Sequence, residues 1–213
     1  MQVSSGDPDR ARAALGLGPT QTGELALNSR LDSAPTAPAK RVFTGVLYDA
    51  LGLPDLPADA ARRAARSVLV FSALFGVLRP NDRIPAYRLA GDATLPGVGR
   101  VAASWGPELA AVVEADAGRG LVLDLRSGPY LPMWRAPEAI RSRTLTVRVV
   151  RDIGGRRSSV THANKTTKGL LIRSLLVSGD QPRTPAGLVE QLRSIGWSVA
   201  GPTGGVIEVL ERH

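Results

Sequence analysis

The chain contains no cysteine, 4% aromatic residues and only two histidines, His162 and the terminal His213, among 213 residues. Without cysteine there can be no disulfide, thiolate nucleophile, zinc–thiolate centre or iron–sulfur cluster. Two histidines leave little for a histidine-built metal site, and neither a metal nor another cofactor is expected. No apolar run approaches the ~20 residues needed to span a bilayer. The N-terminus lacks both a basic n-region and an apolar h-region. A soluble cytoplasmic protein with no membrane partner is the expectation. Internal repeats and low-complexity blocks are also missing.

What is present is a large core and a surplus of positive charge. With 43% hydrophobic residues, a chain of this length can bury a sizeable core. One domain over 1–213 is the simplest organisation and two lobes the alternative. The formal net charge is +8, and neutralisation of phosphates by Lys and Arg supplies most non-specific nucleic-acid affinity. Against that, the basic residues are overwhelmingly Arg and the chain is Ala-rich, a bias that a GC-rich genome produces by itself. Arginines are spread through Arg62-Arg63, Arg66, Arg141, Arg143, Arg148, Arg151 and Arg156-Arg157 without a polybasic tail. A basic groove and a generic Arg-rich surface both remain open.

Local signals predict helices over Asp7–Leu17, with Asp7 as cap and Pro8 first, over Thr22–Arg30, and over Pro57–Arg66. Helices are also predicted over Trp105–Ala115, over Asn164–Val177 with Asn164 as cap, and from Thr184-Pro185 to Gly196. Asp32–Lys40 reads as an extended connector and Val42–Leu47 as a strand or buried turn. Buried strands are predicted at Ser67–Phe71, where helix followed by strand indicates an α/β layer, and at Leu121–Leu125. Gly154-Gly155 signals a hairpin between Thr144–Arg151 and Arg157–His162, and Trp197–Ala200 with Val206–Leu210 a terminal one. The expected class is α+β: a mixed β-sheet flanked by helices, with a C-terminal β-hairpin and a helical lead-in and connector over 1–40.

Chemistry-bearing residues gather first in Ser72–Leu89, where an apolar run breaks at Gly76 into a polar loop stiffened by Pro80 and Pro85. Arg79 and Arg88 could bind carboxylate or phosphate bidentately with Tyr87 as hydrogen-bond partner or acid, or Asp82 could pair an arginine and brace the loop. Arg126, Ser127 and Tyr130 follow a predicted buried strand, at whose carboxyl end ligands of α/β sheets bind. An ordinary Ser-Gly-Pro turn is the plainer reading. Lys165 and Lys168 share one face near the start of a predicted helix, where cations oppose the helix dipole unless an anion sits there. A solvated basic face accounts for them equally. His162 is a candidate proton donor, although a lone histidine at a strand end is commonly structural. Leu95–Ala102 has the form of a helix-hairpin-helix turn, with Gly97, Gly99 and Arg100 as possible DNA contacts, or is a simple Pro-Gly turn. No nucleophile–His–acid set and no two-metal carboxylate cluster can be assembled.

The stretch from Ser72 to Leu89 resembles the S-x-L-[FY]-G-V-L-R-P-x-D-x-[IM]-x-x-Y-R-L signature of the YaaA family of bacterial peroxide-stress proteins. Three further elements resemble that family in order: Val42–Tyr48 its [YF]-x-G-x-V-Y, Leu123–Tyr130 its N-L-A-S-x-E-Y, and Asn164–Gly169 its A-K-K-A-R-G. The chain departs from these patterns at Asp124, Arg126, Pro129 and Lys168, which redistributes charge. It also begins without the family's opening strand and S-P-x-K-like loop, so an uncovered sheet edge with exposed apolar surface is expected. The resemblance implies an oxidative-stress protein that binds DNA, with Arg79, Asp82, Tyr87, Arg88, Arg126, Ser127, Tyr130, Lys165 and Lys168 lining one basic cleft. The rival is an enzyme using the same groups on a small anionic or acyl substrate. Oligomeric state is not legible.

Overall fold

The structure is a computed structural model that describes residues 7–15, 18, 23–153, 156–159 and 164–211. His162, Gly154-Gly155, Gly16 and Thr22 lie outside the described residues. The chain has α+β architecture and divides into two compact units, one of residues 1–42, 69–113 and 126–135, the other of residues 43–68, 114–125 and 136–213.

The first unit is built from short elements. Helix α1 (Pro8–Leu15) starts behind Asp7, whose carboxylate accepts from the Asp9 amide at 2.9 Å, the cap that the Asp-Pro pair predicts. Helix α2 is confined to Leu25–Ser29. Within the expected connector, β1 (Thr36–Pro38) leads into α3 (Ala39–Val42). The apolar run and polar loop then give β2 (Val70–Ser72), β3 (Gly76–Leu78) and β4 (Arg83–Pro85). Strand β2 is not part of an α/β layer: it pairs antiparallel with β3 as a hairpin, because the chain turns back before a crossover can form. Strand β4 pairs antiparallel with β1, Ala37 opposite Ile84.

Beyond it, β5 (Thr94–Leu95) and β6 (Gly99–Arg100) form a hairpin leading into α6 (Val101–Ser104). A β-hairpin therefore occupies Leu95–Arg100, and the residues before it, Leu89–Ala93, are not helical. The first helix of a helix-hairpin-helix element is not there. Leu89 and Leu95 contribute to two neighbouring apolar clusters, one around Ala11, Leu15 and Leu25, the other around Ala73, Ala93 and Val101. Helix α7 (Gly106–Ala117) begins in this unit.

The second unit carries the main sheet. Helix α4 (Val46–Leu51) replaces the strand or turn expected near Val42–Leu47. Gly45, at φ 107°, makes the entry that an L side chain would strain, and Gly52 closes α4 in the left-handed region. Helix α5 (Ala58–Ser67) follows, and the short helix α8 (Glu138–Arg141) precedes β8. The sheet is formed by β7 (Val122–Asp124), β8 (Thr144–Ile153), β9 (Arg156–Ser159), β10 (Val199–Thr203) and β11 (Val206–Leu210). Its order is β10-β11-β8-β7, with β9 also paired to β8. Strands β7 and β11 run parallel to β8, whereas β9 and β10 are antiparallel to their partners, so the sheet is mixed.

Alternation decides its faces. Leu145, Val147 and Val149 of β8 and Ile207 and Val209 of β11 are buried with Leu171 of α9 (Asn164–Ser178) and Leu188 and Leu192 of α10 (Pro185–Ser194). Thr146, Arg148, Asp152 and Leu210 on the other face are exposed. Thr184 caps α10 as predicted, its hydroxyl accepting from the Gly187 amide at 3.1 Å. Among the described residues no helix is long and apolar enough to cross a membrane.

Candidate functional site

The first unit gathers the polar groups of the loop around two hydroxyls. Ser72, at the end of β2, is 1% exposed, and its Oγ shares a 2.6 Å hydrogen bond with the Tyr87 hydroxyl. The Phe75 amide donates to the same Oγ at 2.9 Å, and the Phe75 ring stands edge-on to Tyr87 with centroids 5.4 Å apart. Burial pushes the Tyr87 phenol up to about 12, with the neighbouring Tyr130 adding to it, while hydrogen bonds to Ser72 and the Leu74 backbone pull the other way. Tyr130 is raised as well, chiefly by burial and further by Asp92, against the Arg88 guanidinium. Tyr87, Tyr130, Arg88, Asp92 and Ser72 thus form one electrostatic neighbourhood. Its phenols stay protonated through neutral pH.

The cations around it are largely engaged. Asn28 is buried and clamps the Arg88 backbone, accepting from its amide at 2.8 Å and donating to its carbonyl at 2.7 Å. The Arg88 guanidinium pairs with Glu24 at 2.9 Å. Arg126 lies over the Phe71 and Trp134 rings, 4.6 and 5.2 Å from their centroids, and donates to the carbonyls of Tyr130 at 3.1 Å and Trp134 at 2.9 Å. It braces the 3-10 turn Gly128–Met133, which Ser127 precedes. Asp82 accepts from the Arg79 amide at 2.7 Å, and Ala39 and Lys40 donate to the carbonyls of Asp82 and Pro80, which ties the loop to the β1–α3 segment. Here Asp82 braces through the backbone. Gly97, Gly99 and Arg100 are exposed on the β5–β6 hairpin.

Lys165 and Lys168 belong to the second unit, in the first turns of α9. Lys165 is exposed and Lys168 half-buried. Burial lowers the Lys168 ammonium below its ordinary value, and the Asp124 carboxylate at the end of β7 partly restores it. Gly169, one residue on, is where α4 crosses α9: a Cβ there would stand 2.4 Å from the Leu47 carbonyl and 2.8 Å from the Ala50 methyl. Arg173 then donates to the carbonyls of Leu51 and Gly52 at 3.0 and 3.1 Å, closing the end of α4.

Asn28, Glu24, Asp92, Phe71 and Trp134 carry no motif and were not legible as members of the site. Ser72 opens the loop motif, and its position beside a turn was the one available signal. Among the described residues no cluster of His, Cys, Asp and Glu could hold a metal ion.

A family model described as the peroxide stress protein YaaA matches residues 2–199. The chain belongs to this family. Its similar relatives are UPF0246 proteins. That of Streptomyces coelicolor is 48% identical over 199 residues, covering 93% of this chain and 76% of the relative. Those of Corynebacterium efficiens, 39% identical over 90% of this chain and 76% of the relative, and Corynebacterium glutamicum, 35% identical over 96% and 78%, are also similar. Set against the YaaA motifs, the geometry pairs two of the departures. Asp124 and Lys168 are each a change from the family pattern, and the Asp124 carboxylate counters part of the lowering that burial imposes on Lys168. The motif glycine Gly169 is explained by the close helix crossing.

Proposed function

We propose that this YaaA-family protein is a cytoplasmic member of the peroxide-stress response that binds nucleic acid without sequence preference. One observation carries the reading. The net charge is +8, and Arg100 and Arg135 of the first unit and Arg119, Arg141 and Lys165 of the second are exposed with no ion-pair partner among the described residues. Such cations attract phosphates by counterion release and read no base. Titration of a labelled duplex into the full chain at two salt concentrations tests it. Affinity is expected to fall by about 100-fold or more between roughly 50 and 200 mM salt. Absence of binding at the lower salt overturns the reading.

A second reading, an enzyme for a small anionic or acyl substrate, is favoured by Lys168. A half-buried lysine with a lowered pKa beside a carboxylate is suited to nucleophilic or general-base work. Selective labelling of Lys168 by an amine-reactive reagent near neutral pH supports that reading, and labelling no faster than at Lys165 removes it.

A further inference from the structure

Three phenylalanines and three tyrosines are all that the chain has. Phe71, Phe75, Tyr87 and Tyr130 belong to the neighbourhood of Ser72 and Arg126 described above. The other two, Phe43 and Tyr48, lie in the second unit at the entrance to α4, stacked with ring centroids 5.6 Å apart and planes inclined by 26°. Neither packs into the apolar clusters around Leu171 and around Leu51. Both are half-buried, Val46 between them is 51% exposed, and a Cβ on Gly45 would meet nothing within 4 Å. The stack thus borders an open apolar shelf that the proposed function does not use.

A cation stands beside that shelf. Gly169 of α9 faces the Leu47 carbonyl and the Ala50 methyl, and one turn further on Arg173 donates to the carbonyls of Leu51 and Gly52. Contacts advance along both helices together, so α4 and α9 run in the same direction. One turn before Gly169, Lys165 therefore falls level with the α4 entrance, where Phe43 and Val46 lie. Lys165 is exposed and makes no ion pair with a described residue.

We propose, resting on the nucleic-acid reading above, that this shelf holds the unpaired bases of a single strand: a base stacks on the Phe43–Tyr48 pair and a neighbouring phosphate pairs with Lys165. Stacking on a ring accepts any base, because every base has a π face, and this agrees with binding that has no sequence preference. In a duplex those faces are covered by the adjacent base pairs, so a duplex can use only the cations. A phosphate alone would leave the rings unused, and an apolar ligand would leave the Lys165 ammonium without an anion. A free mononucleotide carries both groups, but it lacks the further phosphates that a strand offers to a chain of net charge +8.

The test is fluorescence anisotropy of the full chain with a labelled thymidine strand of about 12 nucleotides and with a duplex of the same length, over a range of salt concentrations. At roughly 200 mM salt, where cation contacts alone have weakened, the strand is expected to bind at least about tenfold tighter than the duplex. Phe43→Leu and Tyr48→Leu keep an apolar side chain without the π face, and each should weaken strand binding about tenfold. Duplex binding should be unchanged in both, which also shows that the variants are folded, and Tyr48→Phe should bind the strand as the parent does. Lys165→Gln should lower the salt slope for the strand by about 0.7. Irradiation of the parent with an iodouracil-substituted strand, which needs no variant, should cross-link Phe43 or Tyr48. Equal affinity for strand and duplex, equal effects of the leucine variants on both, cross-links only elsewhere, or displacement by thymidine monophosphate at the strand's own concentration overturns this inference while duplex binding, and with it the nucleic-acid reading, stands. Binding of neither strand nor duplex overturns both.

Discussion

The neighbourhood of Ser72, Tyr87 and Arg88 and the neighbourhood of Asp124, Lys168 and Gly169 are held together by different physics. In the first, strands of two or three residues cannot bury a continuous face, and polar side chains do the bracing: Asn28 on the Arg88 backbone, Arg126 on the carbonyls of Tyr130 and Trp134. In the second, a fifteen-residue helix lies with α10 against one face of a mixed sheet, and position is set by apolar contact and by how closely two helices can approach. The first region should answer to lost hydrogen bonds and the second to added volume.

The largest expected effect follows from the helix crossing. Gly169→Ala forces a Cβ into the Leu47 carbonyl and should cost about 3 kcal/mol, read as a lower denaturant midpoint. Gly128→Ala in the first unit, where nothing lies within 4 Å, should stay within about 0.5 kcal/mol. Equal losses from the two would break the comparison. Next comes Asn28→Ala, which removes two backbone hydrogen bonds at a buried position and should cost about 2 kcal/mol. Amide hydrogen exchange should show the loss concentrated around Arg88, while a uniform loss would argue against a local clamp.

The smallest effect is in pH, where the two regions carry opposite signs. Tyr87 is pushed up to about 12 from 10.0, so its contribution is complete below the unfolded value and is lost as pH rises from about 10 to about 12. Lys168 is lowered from 10.5, so its contribution is present above the unfolded value and lost as pH falls through the folded one. Stability of Tyr87→Phe relative to the parent should therefore rise on going alkaline, and that of Lys168→Met should fall. Parallel pH profiles for the two variants would show that burial does not set these shifts.

Much of the frame was legible. The Thr184-Pro185 cap, the alternation of β8 and β11 and the terminal hairpin rest on signals within a few residues of each other, and the helix at Asn164 lies where expected, although Asn164 is its first residue and not its cap, its Oδ1 accepting no hydrogen bond. Legibility failed at Val42–Leu47, where short apolar spacing fits a strand and a helix alike, and Gly45 with the α9 crossing decided for α4. It failed again at Ser67–Phe71, since a three-residue strand can enter a large sheet or fold back on its neighbour, and only the turn at Ala73–Phe75 distinguishes the two.

By itself the sequence determined the class, the exclusion of thiol chemistry, the surplus of positive charge and the positions of the longer helices, because composition and periodicity act locally. The tertiary structure alone decided what each charged side chain does. Arg126 fits a ligand site as readily as a brace until its carbonyl partners are known, and the Asn28–Arg88 clamp joins residues sixty apart. The influence of the Asp124 carboxylate on Lys168 likewise joins residues of β7 and α9 that lie far apart in the sequence. Hydrogen-bond partners and desolvation are properties of packing, and packing between distant segments is decided only when the whole chain has folded.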